Sequence, residues 1–256
     1  MWIDRIFKFR QKSETDETKP FLEHLEDLRW MLARMGGTVA SAMALSLCFR
    51  HTLVNIVQHP LKQVDPNAVA HLRTLAPTDS FTISIQIAFY AGLVLSFPLL
   101  LYFLAQFVLP ALTHKEKKYV LPSIGIGFGL FLTGVLFSYL VILPRALGFF
   151  WKDTKDLGWE AAWTVPQYFS FVTQITLVFG LAFELPVAVL ALVYLRLLSF
   201  AFLNRTRSYA YILILILAMI IAPSPDVLTF FSLGAPMLVL YEACIWLAWL
   251  MERRRK

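Results

Sequence analysis

Residues 167–195 read QYFSFVTQITLVFGLAFELPVAVLALVYL, a run in which Glu184 is the only charged residue. At about 1.5 Å per residue a helix of this length extends about 43 Å, more than the roughly 30 Å hydrocarbon thickness of a bilayer. Lipid offers no water to the backbone, so a single segment of this kind must satisfy its own N–H and C=O groups as a helix. The excess length predicts a tilt or a bend. Pro186 supplies a cause for the bend, because its ring collides with the carbonyl of Ala182 and its nitrogen has no proton to donate. Glu184 is costly here, by about 2.5 kcal/mol or more for a carboxylate at the bilayer centre, so it needs a polar partner, water or a proton. It reads either as a functional group or as a structural one satisfied by backbone freed at Pro186.

Five further apolar runs lie on either side: Leu32 to Phe49, Phe81 to Leu109, Tyr119 to Leu143, Tyr209 to Ala222 and Val227 to Leu250. Apolar residues surround most of each run, which suits helices facing lipid and one another. The expected fold is therefore all-α: a polytopic membrane protein of six transmembrane helices, with a bent fourth span and a short fifth. The fifth reaches only about 21 Å and requires local bilayer thinning. Pro98 offers a second possible kink. Gln86 and Gln174 read as helix-packing residues, and Glu242 in the last run is a second buried-carboxylate candidate.

Composition agrees: 58% of the 256 residues are hydrophobic and 16% charged, and mean hydropathy is +0.65. The net charge of +6 is a matter of placement. With the N-terminus inside, 17 of the 23 Lys and Arg residues fall in cytoplasmic segments and 6 in outer ones, so both termini are expected in the cytoplasm and nucleic-acid binding is not. Residues 1–20 lack a signal-peptide pattern and form a basic segment, either an amphipathic helix on an anionic leaflet or a disordered tail. Residues 21–252 form the membrane domain, and 253–256 a basic tail. Cys48 and Cys244 have no CxxC spacing and read as small core residues.

Two cytoplasmic segments carry unusual charge: Phe21-Leu-Glu-His-Leu-Glu-Asp-Leu-Arg29, and Pro110-Ala-Leu-Thr-His-Lys-Glu-Lys-Lys118. Glu26, Asp27 and Glu116 form either an acidic patch within a basic surface or ordinary solvated helix ends. No phosphate loop, HExxH spacing or GxSxG elbow is present, so no catalytic residue, metal or cofactor is expected.

Together these segments resemble the TatC family, the core subunit of the twin-arginine protein translocase, over nearly the whole chain. His24-Leu25 with Asp27-Leu28-Arg29 resembles the family's H-L-x-E-L-R, and Pro110-Ala-Leu112 through Glu116 its P-A-L loop. Phe183-Glu184-Leu185-Pro186 resembles F-E-x-P, and Pro60-Leu61, Thr78-Asp79-Ser80-Phe81 and Pro223 to Asp226 match its outer loops. The resemblance implies a receptor in the bacterial inner membrane for twin-arginine signal peptides of folded proteins, driven by proton-motive force and assembled with TatA- and TatB-like single-span partners in an oligomeric complex. Carried over, Asp27 and Glu116 are the signal-peptide carboxylates, organised by Arg29 and flanked by Glu26, His24 and Leu112. Glu184, Pro186 and Glu242 become intramembrane partner contacts, and Pro60, Asp79 and Asp226 outer-loop structural positions. Asp27 stands where the family usually has glutamate, one methylene longer. Planar guanidinium groups pair bidentately with carboxylates and lysine does not, which explains a paired-arginine code. An ion- or proton-coupled small-solute transporter using Glu184 is the competing class.

Overall fold

The computed structural model of the protein describes residues 21–108, 114–194, 198–221 and 227–253, with the side chains of 21–24, 108, 114–119, 221, 228 and 229 outside that description. Among the described residues the fold is all-α, as expected. Helix α1 (Phe21–Cys48) is followed by α2 (Arg50–Val64), a 3₁₀ turn (Ala68–His71) and α3 (Asp79–Val108). A long third rod comprises α4 (His114–Phe137), a π turn (Ser138–Ile142) and α5 (Leu143–Asp156). Next come α6 (Val165–Ala182), α7 (Leu185–Tyr194), the short α8 (Phe200–Arg205), α9 (Arg207–Ile221) and α10 (Val227–Arg253). Five stretches are long and apolar enough to cross a membrane: 25–48, 79–107, 120–156, 165–194 and 230–253; 207–220 is a shorter apolar helix.

Three differences from the sequence reading have clear causes. Helix α1 starts at Phe21, ahead of the first apolar run at Leu32, and so contains the acidic segment. The third rod runs past Leu143 to Asp156. Pro144 lies in the first turn of α5, and the preceding π turn, in which Leu143 N–H donates to the Ser138 carbonyl, accommodates it without ending the helix. Beyond that point Leu143, Ala146, Leu147 and Trp151 bury one face of α5 at helical spacing. Cys48 is exposed rather than part of the core, whereas Cys244 is buried.

The fourth run bends where Pro186 requires it. Helix α6 ends at Ala182, and Phe183 and Glu184 form a turn in which Glu184 N–H reaches back to the Leu181 carbonyl at 3.1 Å. Pro98, by contrast, sits inside an uninterrupted α3. Helix α1 packs along α3 at a close crossing: a Cβ at Gly92 would stand 2.7 Å from the backbone nitrogen of Met43.

The main core lies at the end of the bundle remote from Phe21. There Leu61 of α2 packs with Leu143, Leu147 and Trp151 of α5 and with Tyr168, Phe169 and Val172 of α6. Polar ties close this far end. Tyr139 and Tyr168 donate to the carbonyls of Ile56 and Val57, each at 2.7 Å. Arg73 and the 163–165 segment exchange backbone hydrogen bonds of 3.0 and 2.9 Å. Lys155 meets Asp65 at 3.2 Å. Pro60 is fully buried in this cap, and Asp79 Oδ2 accepts from Leu75 and Ala76 N–H at 2.9 and 3.0 Å, fixing the entry to α3.

Candidate functional site

Three places gather the candidate residues. At the near end, the first turns of α1 present Glu26 and Arg29 to solvent, with Asp27 half-buried between them. Glu26 and Arg29 stand three positions apart on one helix face, and Asp27 likewise precedes Trp30 by three, with Trp30 58% exposed. His24 lies in the same helix and Glu116 in the first turn of α4, but their side chains fall outside the description. Leu112 and Asp226 lie outside the described residues altogether. The backbone nevertheless orders this end: α1 packs on α3, α3 ends at Val108, and α4 begins at His114 on the same side of the bundle.

The second place is the turn between α6 and α7. Glu184 projects there toward α3 and α4: a Cβ at Gly127 would lie 3.1 Å from Glu184 Oε2 and 3.2 Å from Leu101 Cδ1. Glu184 Oε1 is buried and has no hydrogen-bond partner among the described residues. The backbone groups near Pro186 therefore do not satisfy it, and the carboxyl keeps an open acceptor in apolar surroundings. Higher in the same helix bundle Gln86 donates to Ser170 Oγ at 3.1 Å and to Thr173 Oγ1 at 3.2 Å, joining α3 to α6. A groove of about 660 Å³ opens between α5 and α6 and is lined partly by Ser170 and Gln174.

The third place is the near end of α9 and α10. Arg207 grips Glu242 with both Nε and Nη2, the former at 2.6 Å, and Tyr211 Oη donates to the same carboxylate. Glu242 is thus engaged inside the chain by two residues that the sequence reading did not single out. Their signal was present: an arginine at the mouth of an apolar run, with tyrosine one turn on. Gly127 was missed too, in a Gly-Ile-Gly-Phe-Gly run that alternates between open space and the Glu184 carboxyl. Among the described residues no three His, Cys, Asp or Glu side chains come together as a metal site.

A bundle of long apolar helices, with carboxylates at one mouth and one unpaired carboxyl at a broken span, defines a polytopic membrane protein with a polar site inside it. Comparison with known proteins gives the family. The family model "Sec-independent protein translocase protein (TatC)" matches residues 23–236. A Listeria innocua protein named Sec-independent protein translocase protein TatC is 36% identical over 240 residues, covering 94% of this chain and 95% of its own. An Akkermansia muciniphila protein of the same name is 46% identical over 187 residues, 73% of this chain; the matched region spans 54% of that longer relative. A crystal structure described as the twin arginine translocase receptor TatC matches with a TM-score of 0.80 at 31% identity, covering 89% of this chain and 98% of that one. The chain belongs to the TatC family and is a TatC-type component of the twin-arginine protein translocase.

Proposed function

We propose that the protein is the receptor for twin-arginine signal peptides and the scaffold on which single-span TatA- and TatB-like partners assemble to move folded proteins across the bacterial inner membrane, driven by proton-motive force. The observation that carries this reading is the common emergence of the Asp27 segment and the Glu116 segment at one end of the bundle. In this reading the near end is cytoplasmic, α9 is a sixth and shortest crossing, and both termini lie inside, in accord with the basic residues that collect there. Arg253 over the Trp249 ring at 5.1 Å, and the exposed Trp30 in the near-end part of α1, suit headgroup-level anchors.

Asp27 and Glu116 each take one guanidinium of the arginine pair, and Glu26 adds negative potential beside them. Arg29 keeps the acidic turn from repelling itself. Each charge-assisted hydrogen bond contributes about 1.5–3 kcal/mol, so both arginines count. Glu184 is the acceptor for a polar side chain of a partner helix, supported by its buried, unpartnered Oε1. Such an acceptor in hydrocarbon favours any helix that brings a donor.

The test is export in cells. Asp27→Ala with Glu116→Ala should stop export of a twin-arginine reporter while the protein still inserts at normal level. Normal export by an inserted double variant would reject the receptor reading. Site-specific cross-links from position 184 should reach a single-span partner, and their absence would count against the contact.

A further inference from the structure

Helices α4 and α6 meet through glycine. A Cβ at Gly134 would stand 2.5 Å from the Phe179 carbonyl oxygen, and one at Gly180 would stand 2.7 Å from the Phe131 ring. Phe131 is fully buried and stacks on Phe97 with ring centroids 3.6 Å apart. These neighbours are backbone and a locked ring, neither able to yield, so they fix the register of the two helices. Two helical turns from Gly134 on the same face of α4, that register sets Gly127 against Glu184.

Gly127 differs from the other two in what its missing methyl would meet. A Cβ there would lie 3.1 Å from Glu184 Oε2, 3.4 Å from Oε1 and 3.2 Å from Leu101 Cδ1, all ends of flexible side chains. The helix pair tolerates a methyl at 127; the carboxyl in its present position does not. We propose that Gly127 is the positioning residue for Glu184: bare backbone at this point lets the carboxyl rest between α4 and Leu101, with Oε1 left as the acceptor. Glycine is a poor helix residue, so α4 gains nothing in local stability from having one here. The return is the seat for the carboxyl. The inference rests on the reading of Glu184 as the partner contact, and it adds the residue that sets where the contact is made.

The experiment uses the full chain in membrane vesicles with its partner subunits, comparing Gly127→Ala and Gly127→Val, each with and without Glu184→Asp, and Gly134→Ala as a packing control. Three quantities are read: labelling of position 184 by a hydrophobic carbodiimide, export of a twin-arginine reporter, and the thermal midpoint. Valine should lower labelling and export by about tenfold and alanine by about threefold, with the midpoint unchanged. Aspartate withdraws the carboxyl by one methylene, so Glu184→Asp should restore labelling and export in the valine background although it lowers both beside glycine. That reciprocity belongs to a shared space and not to a general packing defect. Gly134→Ala should lower the midpoint and gain nothing from Glu184→Asp. Unchanged labelling in Gly127→Val, or loss without rescue by aspartate, would overturn the inference. Normal export by Glu184→Ala would instead reject the partner-contact reading, while the labelling result would still decide the placement of the carboxyl.

Discussion

Arg207 holds Glu242 through two guanidinium nitrogens across the α9–α10 interface, and Tyr211 completes the carboxylate's shell. The short α9 exposes Tyr209, Ile212, Leu213, Ile216, Met219 and Ile220, and it packs inward through Ile214, Leu215 and Ala218 and the Tyr211–Tyr241 ring contact. Both charges are partly exposed, with side chains 44% and 25% accessible, which moderates the pair's strength. A double-mutant cycle of Arg207→Ala and Glu242→Ala, read by thermal unfolding in detergent, should give a coupling of about 1–2 kcal/mol, with Glu242→Gln falling between wild type and alanine. Additive single effects would show that the pair does not hold α9.

Asp65 and Lys155 link α2 to α5, and this link has a pH dependence of known sign. The Asn67 N–H first, and then Lys155, hold the Asp65 carboxyl below its ordinary range. A depressed carboxylate stabilises the fold above its unfolded pKa, and the contribution fades as pH falls below about 4 through the folded value. The difference in thermal midpoint between wild type and Asp65→Asn should therefore be constant from neutral pH to about pH 5 and shrink below about pH 4. A difference that instead grew on acidification would contradict the assignment.

Tyr139 and Tyr168 fasten α2 to the far-end core through the Ile56 and Val57 carbonyls. Tyr168→Phe should cost about 1 kcal/mol, since it removes the hydroxyl's hydrogen bond to the Val57 carbonyl while keeping the ring. Limited proteolysis should detect faster cleavage within residues 50–75, with the transmembrane fragments unaffected.

Gly92 admits the backbone of α1 at Met43. Gly92→Ala meets backbone that cannot move aside and should destabilise by about 1–3 kcal/mol, lowering the detergent midpoint. Because α1 carries the acidic segment, the same variant should also weaken signal-peptide binding.

Much of this architecture was legible in the sequence because membrane helices state their length directly. The α3, α9 and α10 boundaries fall within a few residues of the apolar runs, and the break at Phe183–Glu184 sits one turn before Pro186, where the missing N–H places it. What was not legible depended on packing. The third apolar run stops at Leu143, yet the π turn before Pro144 lets the rod continue to Asp156. The α2 cap is held by hydrogen bonds to partners more than eighty residues away, which no local pattern records. Likewise Glu184 announces itself by its cost in lipid, whereas Gly127 acquires meaning only from the residue it faces.

The receptor reading is tested most directly by binding. Purified protein in detergent should retain a twin-arginine signal peptide at least about tenfold more tightly than the twin-lysine version, because two bidentate pairs are lost in the latter. Asp27→Ala with Glu116→Ala should bring the twin-arginine affinity down to the twin-lysine level. Equal affinity for the two peptides, or undiminished binding by a folded double variant, would contradict the account.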